Sequence, residues 1–240
     1  MTAVILAAGT ATRLHPLTED TPKALLPVGG IPLLQRMLET LGQSGIRDSV
    51  IVTGHLQAVM KRFLATSPPE IRVTEVFNPL YASTHNNYSL WLALRECPGE
   101  EVLLLDADIL FTPRILTLLL ETRHENALVL KVDPGLGEEE MKVACQPDGR
   151  VTAIGKHLDP AVSAGESLGI EKFSGQWTEM LLSVLGRRKG RREFYEASFQ
   201  ELINRGLPLF AVSSSPYECI EIDTPADLVA ADLIAQRMTV

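Results

Sequence analysis

Short leucine- and β-branched-rich runs alternate along this chain with segments whose apolar residues recur every three or four positions. That alternation admits few folds other than a parallel sheet covered by helices. Val4-Ile5-Leu6-Ala7-Ala8 is apolar on both faces, as a central parallel strand is, and stops at Gly9. Leu33, Leu34, Met37, Leu38 and Leu41 follow at helical spacing and end near Gly42 and Gly45. Ser49–Gly54 and Ile71–Phe77 read as strands, with a helix over Val59–Leu64 between them. The rhythm continues with a helix at Tyr88–Leu94, a strand at Val102–Leu105, a helix at Ile115–Glu121 and a strand at Ala127–Val132. From about residue 133 to 175 short apolar pairs, separated by turns such as Pro147-Asp148-Gly149, predict hairpins that form a small lid over one end of the sheet. Helices at Gln176–Leu185, Ala197–Asn204 and Pro225–Gln236, with a strand at Leu209–Val212, complete the pattern. The expectation is one α/β domain over residues 1–240, Rossmann-like, with a mainly parallel sheet flanked by helices.

The net charge of −8 argues against a general nucleic-acid or membrane-surface binder. Any polyphosphate ligand must therefore meet positive groups that are few and local. No apolar run reaches the roughly 18 residues of a membrane span, and the start, MTAVILAAG, reads as a strand rather than a signal peptide. A cytoplasmic protein is expected, as a monomer or homodimer. Cys97, Cys145 and Cys219 are scattered and form no CxxC pair, so they predict small buried hydrophobes rather than a zinc site or disulfides.

Chemistry concentrates first in the loop after the first strand. After Leu6, the small side chains of Ala7, Ala8, Gly9 and Thr10 let backbone N–H groups approach phosphates, and Arg13 and Lys23 add positive charge. The loop is not a P-loop, because no GKS/T follows, and one glycine is too few for a dinucleotide fingerprint. An ordinary βα loop with two solvated cations would use the same residues. Asp106-Ala107-Asp108 then ends an apolar strand, and residues two apart on a strand face one side. Two carboxylates there suit Mg²⁺, unless one of them caps the next helix. Glu221 and Asp223 repeat the arrangement near the other end of the chain. Thr224, Pro225 and Asp227 read as an N-cap, an N1 proline and a capping box, which makes Asp227 structural. Between these motifs, Asn78 to Leu90 is unusually polar, and Asn86, Asn87 and Ser89 offer the donors and acceptors that a base edge needs, although Asn87 or Ser89 would equally cap a helix.

LAAG-x-x-x-R-L followed by T-P-K-x-L resembles the signature loop of the sugar-phosphate nucleotidyltransferase superfamily, with Ala11 where that family usually has glycine. Glu221-Ile222-Asp223-Thr224-Pro225 is likewise typical of that superfamily, whereas Asn-x-x-Tyr-x-x-Thr-x-Asn-Asn-x-Ser-Leu from Asn78, Val52-Thr53-Gly54 and the Asp106-Ala107-Asp108 strand together resemble the CTP:phosphocholine cytidylyltransferase branch, whose relatives activate inositol phosphate or 2-aminoethylphosphonate. The resemblance implies a nucleotidyltransferase, GT-A-like fold. It implies Arg13 on the triphosphate tail, Lys23 at the α-phosphate, and Mg²⁺ held by Asp108, Glu221 and Asp223. Leu6 to Thr10, Arg13, Lys23, Asn86, Asn87, Ser89 and Asp106 would contact the nucleotide, with Arg13, Lys23, Asp108 and Asp223 carrying catalysis.

The acceptor is expected against Lys142 and Lys156, whose ammonium groups suit a phosphate, and against Glu166 and Glu171, whose carboxylates suit a cationic head group beside Phe173 or Trp177. The expected partners are CTP and a small phosphate or phosphonate acceptor. An acceptor phosphate with a second pKa of about 6 is already ionised at neutral pH, so no general base is required. A hexose-1-phosphate uridylyl- or thymidylyltransferase, and an inactive nucleotide-binding regulator, are the competing readings.

Overall fold

The computed structural model describes residues 1–66, 70–132, 135–188, 190 and 192–238. In chain order the elements are β1 (Thr2–Ala7), β2 (Pro27–Val28), β3 (Ile31–Pro32), α1 (Leu33–Gln43), β4 (Asp48–Thr53), α2 (Gln57–Thr66), β5 (Arg72–Phe77) and α3 (Asn86–Leu94). β6 (Val102–Asp106), β7 (Ile109–Phe111), α4 (Pro113–Glu121), β8 (Ala127–Lys131), β9 (Lys142–Cys145), β10 (Val151–Ile154) and β11 (Gly165–Phe173) follow. The chain then forms α5 (Gly175–Arg188), α6 (Glu196–Asn204), β12 (Phe210–Ser213), β13 (Cys219–Glu221) and α7 (Pro225–Met238).

The main sheet runs β10-β9-β11-β6-β1-β4-β5, with β8 paired to β11 and β12 to β8. β1 pairs in parallel with both β4 and β6, and β4 with β5. Chain connections therefore leave β1 toward opposite sides. At such a reversal the loops beyond the carboxyl ends part and leave a crevice. The N-terminal loop motif sits at the mouth of that crevice because β1 is the central strand.

Residues 133–175 differ from the lid expectation. Asp133 and Pro134 lie outside the described residues. The β9–β10 hairpin forms the sheet margin, and β11 runs antiparallel beside β6 as an integral strand. β11 carries Glu166, Glu171 and Lys172, yet Glu171 is fully buried, so its charge pattern conceals a core strand. A register shift between Ser167 and Glu171 bends it beside the crevice. Gly169 sits at that bend with φ +65°, and a Cβ there would lie 2.6 Å from Asp106 Oδ2.

Two apolar layers cover the sheet. One packs Leu34, Met37, Leu38 and Leu41 of α1 with Ile115, Leu116 and Leu119 of α4 against Ile5, Ile51 and Leu105. The other packs Leu90, Ala93 and Leu94 of α3 with Trp177, Leu181 and Leu185 of α5 against Val4, Val52 and Leu104. Phe173 and Trp177 stack at 4.4 Å within this second layer, and Phe199 meets both edge-on. A smaller cluster joins Leu14, Leu26, Val28 and Leu33 to Leu110, Ile222, Ala231 and Ala235. It ties the loop after β1 to the C-terminal helix.

Trp177 is 1% exposed. Trp177→Ala is expected to cost about 3–5 kcal/mol of stability, measured as a lower urea midpoint at unchanged m-value. A cost below about 1 kcal/mol would contradict this packing.

Candidate active site

The loop after β1 opens with Ala11 in the left-handed conformation, φ 49° and ψ 43°. That backbone costs an L-residue about 1–2 kcal/mol relative to glycine. It is held by Leu14 N–H and the Thr18 hydroxyl, both donating to the Ala11 carbonyl at 3.1 and 2.8 Å. Alanine thus adopts the geometry that a glycine at this place would adopt freely. A 3₁₀ turn over Thr12–Leu14 follows, with Leu14 buried, and it projects Arg13 into the crevice. A second 3₁₀ turn, Lys23–Leu25, buries Ala24 and Leu25 and aims Lys23 back at the end of β6.

Lys23 Nζ donates to Asp108 Oδ2 at 2.7 Å and to Asp223 Oδ1 at 2.6 Å. Arg13 Nη2 donates to the other oxygen of Asp223, Oδ2, at 2.6 Å. Burial opposes the Lys23 charge, but Asp108 and Asp223 more than offset it and hold the ammonium pKa above its ordinary value. Burial likewise opposes the Asp223 charge, and Lys23 with Arg13 overcomes it, holding that carboxyl below the usual range. Asp108, Glu221 and Asp223 bring carboxylate oxygens within 4.8 Å of one another. The Asp108 Oδ1 atom is buried and unpartnered. Protein crowded around the Glu221 carboxyl, then the charges of Asp108 and Asp223, push it up to about 8, although the residue as a whole is the most exposed of the three. Oxygen-only donors, one of them orphaned, and a carboxyl disfavoured by like charge fit a hard divalent cation, which would satisfy all three.

Asp106 does not join this cluster. It ends β6 and accepts the Tyr195 hydroxyl at 3.0 Å on Oδ2, while Asp108 lies beyond the strand end and meets Lys23. The pair expected to project together is split, because the chain turns after Asp106 rather than continuing as strand. The Thr224 cap forms as expected: Asp227 Oδ2 accepts from Asp223 N, Thr224 N and Thr224 Oγ1, and Asp227 N donates to Thr224 Oγ1. This cap fixes the backbone that presents Asp223.

Leu6, Ala8, Gly9, Thr10, Arg13, Asn86, Ser89 and Asp106 all line one open cleft of ≈ 610 Å³, and Ala7 and Lys23 line the lobe beside it. Asn87 does not reach the cleft; it is 1% exposed and its Nδ2 donates to the Arg188 carbonyl at 3.2 Å. Asn78, Tyr81 and Thr84 complete the polar wall, with Asn78 Nδ2 donating to Ser89 Oγ at 2.9 Å. Gly54 lets this wall close, since a Cβ there would lie 2.5 Å from the Ala8 carbonyl and 2.7 Å from Tyr81 Cβ.

On the opposite side, Lys156 and Glu166 line the cleft. Lys142 is a correction to the acceptor set. It is 1% exposed, and its Nζ donates to the carbonyls of Gly137, Glu140 and Glu138 at 2.7, 3.2 and 3.4 Å. Glu171 is also buried away from the cleft lining, accepting from Ser167 Oγ at 3.3 Å. Phe173 and Trp177 are core residues and make no aromatic box for a cation. Phe194, Tyr195 and Glu196, which enter the site from the start of α6 and the two residues before it, were not expected from the sequence. The only sequence signal was an aromatic pair flanked by charge, which surface segments also show.

Residues 3–202 match the MobA-like NTP transferase domain. Over 108 residues, 45% of this chain and 44% of the relative, the chain is 43% identical to a choline-phosphate cytidylyltransferase of Streptococcus pneumoniae. Over 96% of this chain it is 31% identical to half of the bifunctional IPC transferase and DIPP synthase of Aquifex aeolicus. The chain spans half or less of the length of these two relatives. The structure of the CTP:phosphocholine cytidylyltransferase LicC from Streptococcus pneumoniae superposes with a TM-score of 0.78 at 26% identity, covering 98% of both chains. Among the described residues no helix is long and apolar enough to cross a membrane.

Because Lys142 pins the carbonyls of residues 137–140, Lys142→Met is expected to lower stability by about 1–3 kcal/mol, read by thermal unfolding. A protein of unchanged stability that turns over an anionic acceptor poorly would return Lys142 to a direct binding role.

Proposed function

Since the chain belongs to the MobA-like NTP transferase family, we propose that it is a cytidylyltransferase, moving CMP from CTP to a small phosphorylated alcohol or phosphonate and releasing pyrophosphate. The observation that carries this reading is the meeting of Lys23 and Arg13 with Asp108 and Asp223 at the mouth of a small-residue loop. Cations and carboxylates in one crevice suit a polyphosphate that arrives with its own divalent ion.

Asp108, Glu221 and Asp223 would hold Mg²⁺. When bound, that ion supplies charge neutralisation and orientation at the α-phosphate. Lys23, released from its carboxylates, lies where it would offset charge that grows on the α-phosphoryl oxygens during transfer. Arg13, the more exposed cation, would hold the departing β- and γ-phosphates. The backbone of Leu6 to Thr10 approaches the phosphates closely because its side chains leave room there. Asn86, Ser89 and Asn78 supply amide and hydroxyl groups of both polarities to a pyrimidine edge. Tyr81, packed against Gly54, bounds that pocket.

Lys156 and Glu166 face the acceptor. An acceptor oxygen attacks the α-phosphorus in line, a new P–O bond forms, and the bond to the β-phosphate oxygen breaks. The attacking oxygen is already ionised near neutral pH, so positioning replaces base catalysis. The cytidylyltransferase names of the relatives support CTP as donor.

The test is pyrophosphate release with Mg²⁺, crossing CTP, UTP, dTTP and GTP with phosphocholine, 2-aminoethylphosphonate, inositol 1-phosphate and glucose 1-phosphate. Turnover confined to CTP and a non-hexose acceptor is expected. Turnover with UTP or dTTP and glucose 1-phosphate would replace this reading by a hexose-1-phosphate nucleotidyltransferase. Nucleotide binding with no release on any acceptor would favour an inactive regulator.

A further inference from the structure

Thr84, Asn86 and Ser89 line the cleft from one short stretch that leads into α3. Each also makes a hydrogen bond within the protein, and that bond decides which polarity is left for a ligand. A backbone N–H can only donate and a backbone carbonyl can only accept, so a bond to either fixes the direction of the group it meets.

Asn86 accepts the Tyr195 N–H on Oδ1 at 3.0 Å. Its carbonyl end is thereby spent, and Nδ2, a donor, is the end left for the cleft. Ser89 is set in two steps. The Leu80 N–H donates to Asn78 Oδ1 at 2.8 Å, so the other end of Asn78, Nδ2, faces Ser89 and donates to its Oγ at 2.9 Å. Ser89 accepts there and keeps its own hydrogen to donate, and Asn78 acts on a ligand through it. Thr84 is the reverse case. Its Oγ1 donates to the Leu80 carbonyl at 2.9 Å, which spends the hydrogen and leaves lone pairs that can only accept.

The wall therefore offers one acceptor, Thr84, and two donors, Asn86 and Ser89. Asn86 and Ser89 are three residues apart on α3 and so share a face. Positions 4, 3 and 2 of cytosine present a donor, an acceptor and an acceptor, which complements the wall at each place. Uracil presents an acceptor, a donor and an acceptor, and opposes it at two. Turning the Asn86 amide to suit uracil would leave the N–H of Tyr195, a fully buried residue, without a partner. The three contacts are unequal. The Thr84 bond is exposed to water, whereas the Asn86 bond is partly buried.

We propose that the Asn86 amide, locked by the Tyr195 N–H, selects the base by the protonation of ring nitrogen 3, so that the site takes pyrimidin-2-one nucleotides whose N3 is a free acceptor, with or without the exocyclic amine, and refuses uracil. This rests on the cytidylyl transfer proposed above and says how the base is chosen.

Two analogues separate the ring nitrogen from the amine. The triphosphate of 3-deazacytidine keeps the amine and O2 but carries C–H at position 3. The triphosphate of the pyrimidin-2-one riboside keeps N3 and O2 but lacks the amine. Both are titrated calorimetrically with Mg²⁺, beside CTP and UTP, into the wild type and into Asn86→Asp. The wild type is expected to bind the pyrimidin-2-one compound within about fivefold of CTP, and the 3-deaza compound and UTP at least about 20-fold more weakly than CTP, the cost of leaving a partly buried donor unpaired. In Asn86→Asp one oxygen still accepts from Tyr195 and the other now accepts from the cleft. The added charge weakens every triphosphate alike, so the readout is the ratio of CTP to UTP affinity, expected to fall at least about tenfold. Binding of the 3-deaza compound as tightly as the pyrimidin-2-one compound, equal binding of all four, binding of none, or a ratio unchanged in Asn86→Asp would each overturn the proposal. The wild-type series decides the matter even if the variant does not fold. Pyrophosphate release with the acceptors above separates the two readings. Release from CTP with an affinity order that follows the amine overturns the N3 selection and leaves cytidylyl transfer standing. The expected affinity order without release on any acceptor does the reverse.

Discussion

The half-buried Lys23 ammonium, held between Asp108 and Asp223, is the contact on which the site depends. Two carboxylates brought this close repel each other, and a buried one loses its hydration. The ammonium offsets both costs, provided that it is delivered to within hydrogen-bond distance of each. Its delivery is a property of the whole fold. The sheet sets the ends of β1 and β6 side by side, which places Asp108 beside the N-terminal loop. The small cluster of Leu14, Leu26, Val28 and Leu33 against Ile222, Ala231 and Ala235 clamps that loop to the segment bearing Asp223. The Thr224–Asp227 cap then fixes the Asp223 backbone. Removing either carboxylate leaves the half-buried ammonium short of a partner, which is destabilising.

Much of this was legible because it is local. α1 announces itself by Leu33, Leu34, Met37, Leu38 and Leu41, and the structure buries all five. The cap at Thr224 needs only residues three apart. The loop motif places Arg13 and Lys23 in one cleft because both lie within a short stretch after a central strand. What escaped depends on distant packing. β11 reads as a polar stretch, since Glu166, Glu171 and Lys172 interrupt it, yet it lies beside β6 in the sheet. Lys142 looks like a surface cation and is instead sealed by three backbone carbonyls. Asn87 and Asn86 are adjacent, but the turn of α3 sends one to the Arg188 carbonyl and the other to the backbone N–H of Tyr195. A sequence pattern cannot report which buried polar group finds a partner, because the partner comes from elsewhere in the chain.

The acids of the cleft fall into two groups with opposite chemistry. Asp108 and Asp223 have cations at hydrogen-bond distance, and Asp223 is held ionised by them. Glu171 and Glu196 are buried with unpartnered oxygens and are driven toward the neutral form. The first group, met by Lys23 and Arg13, is placed for a divalent ion with its triphosphate. The second has one oxygen of each carboxyl without a hydrogen-bond donor. The cleft thus has Arg13 and Lys23 among carboxylates at one end, and Glu196 near Lys156 at the other, and the two ends are suited to different parts of the substrates.

Asp108, Glu221 and Asp223 are proposed to form one divalent-cation site that works together with the nucleotide. Mn²⁺, followed by the loss of its free electron-spin resonance signal, tests it in the wild type and in Asp223→Asn. Weak Mn²⁺ binding is expected of the protein alone, where Lys23 and Arg13 occupy the carboxylates. With CTP present, one tightly bound ion per chain is expected beyond what CTP itself holds, and its loss in Asp223→Asn. Equal Mn²⁺ binding by the variant and the wild type in the presence of CTP would contradict this.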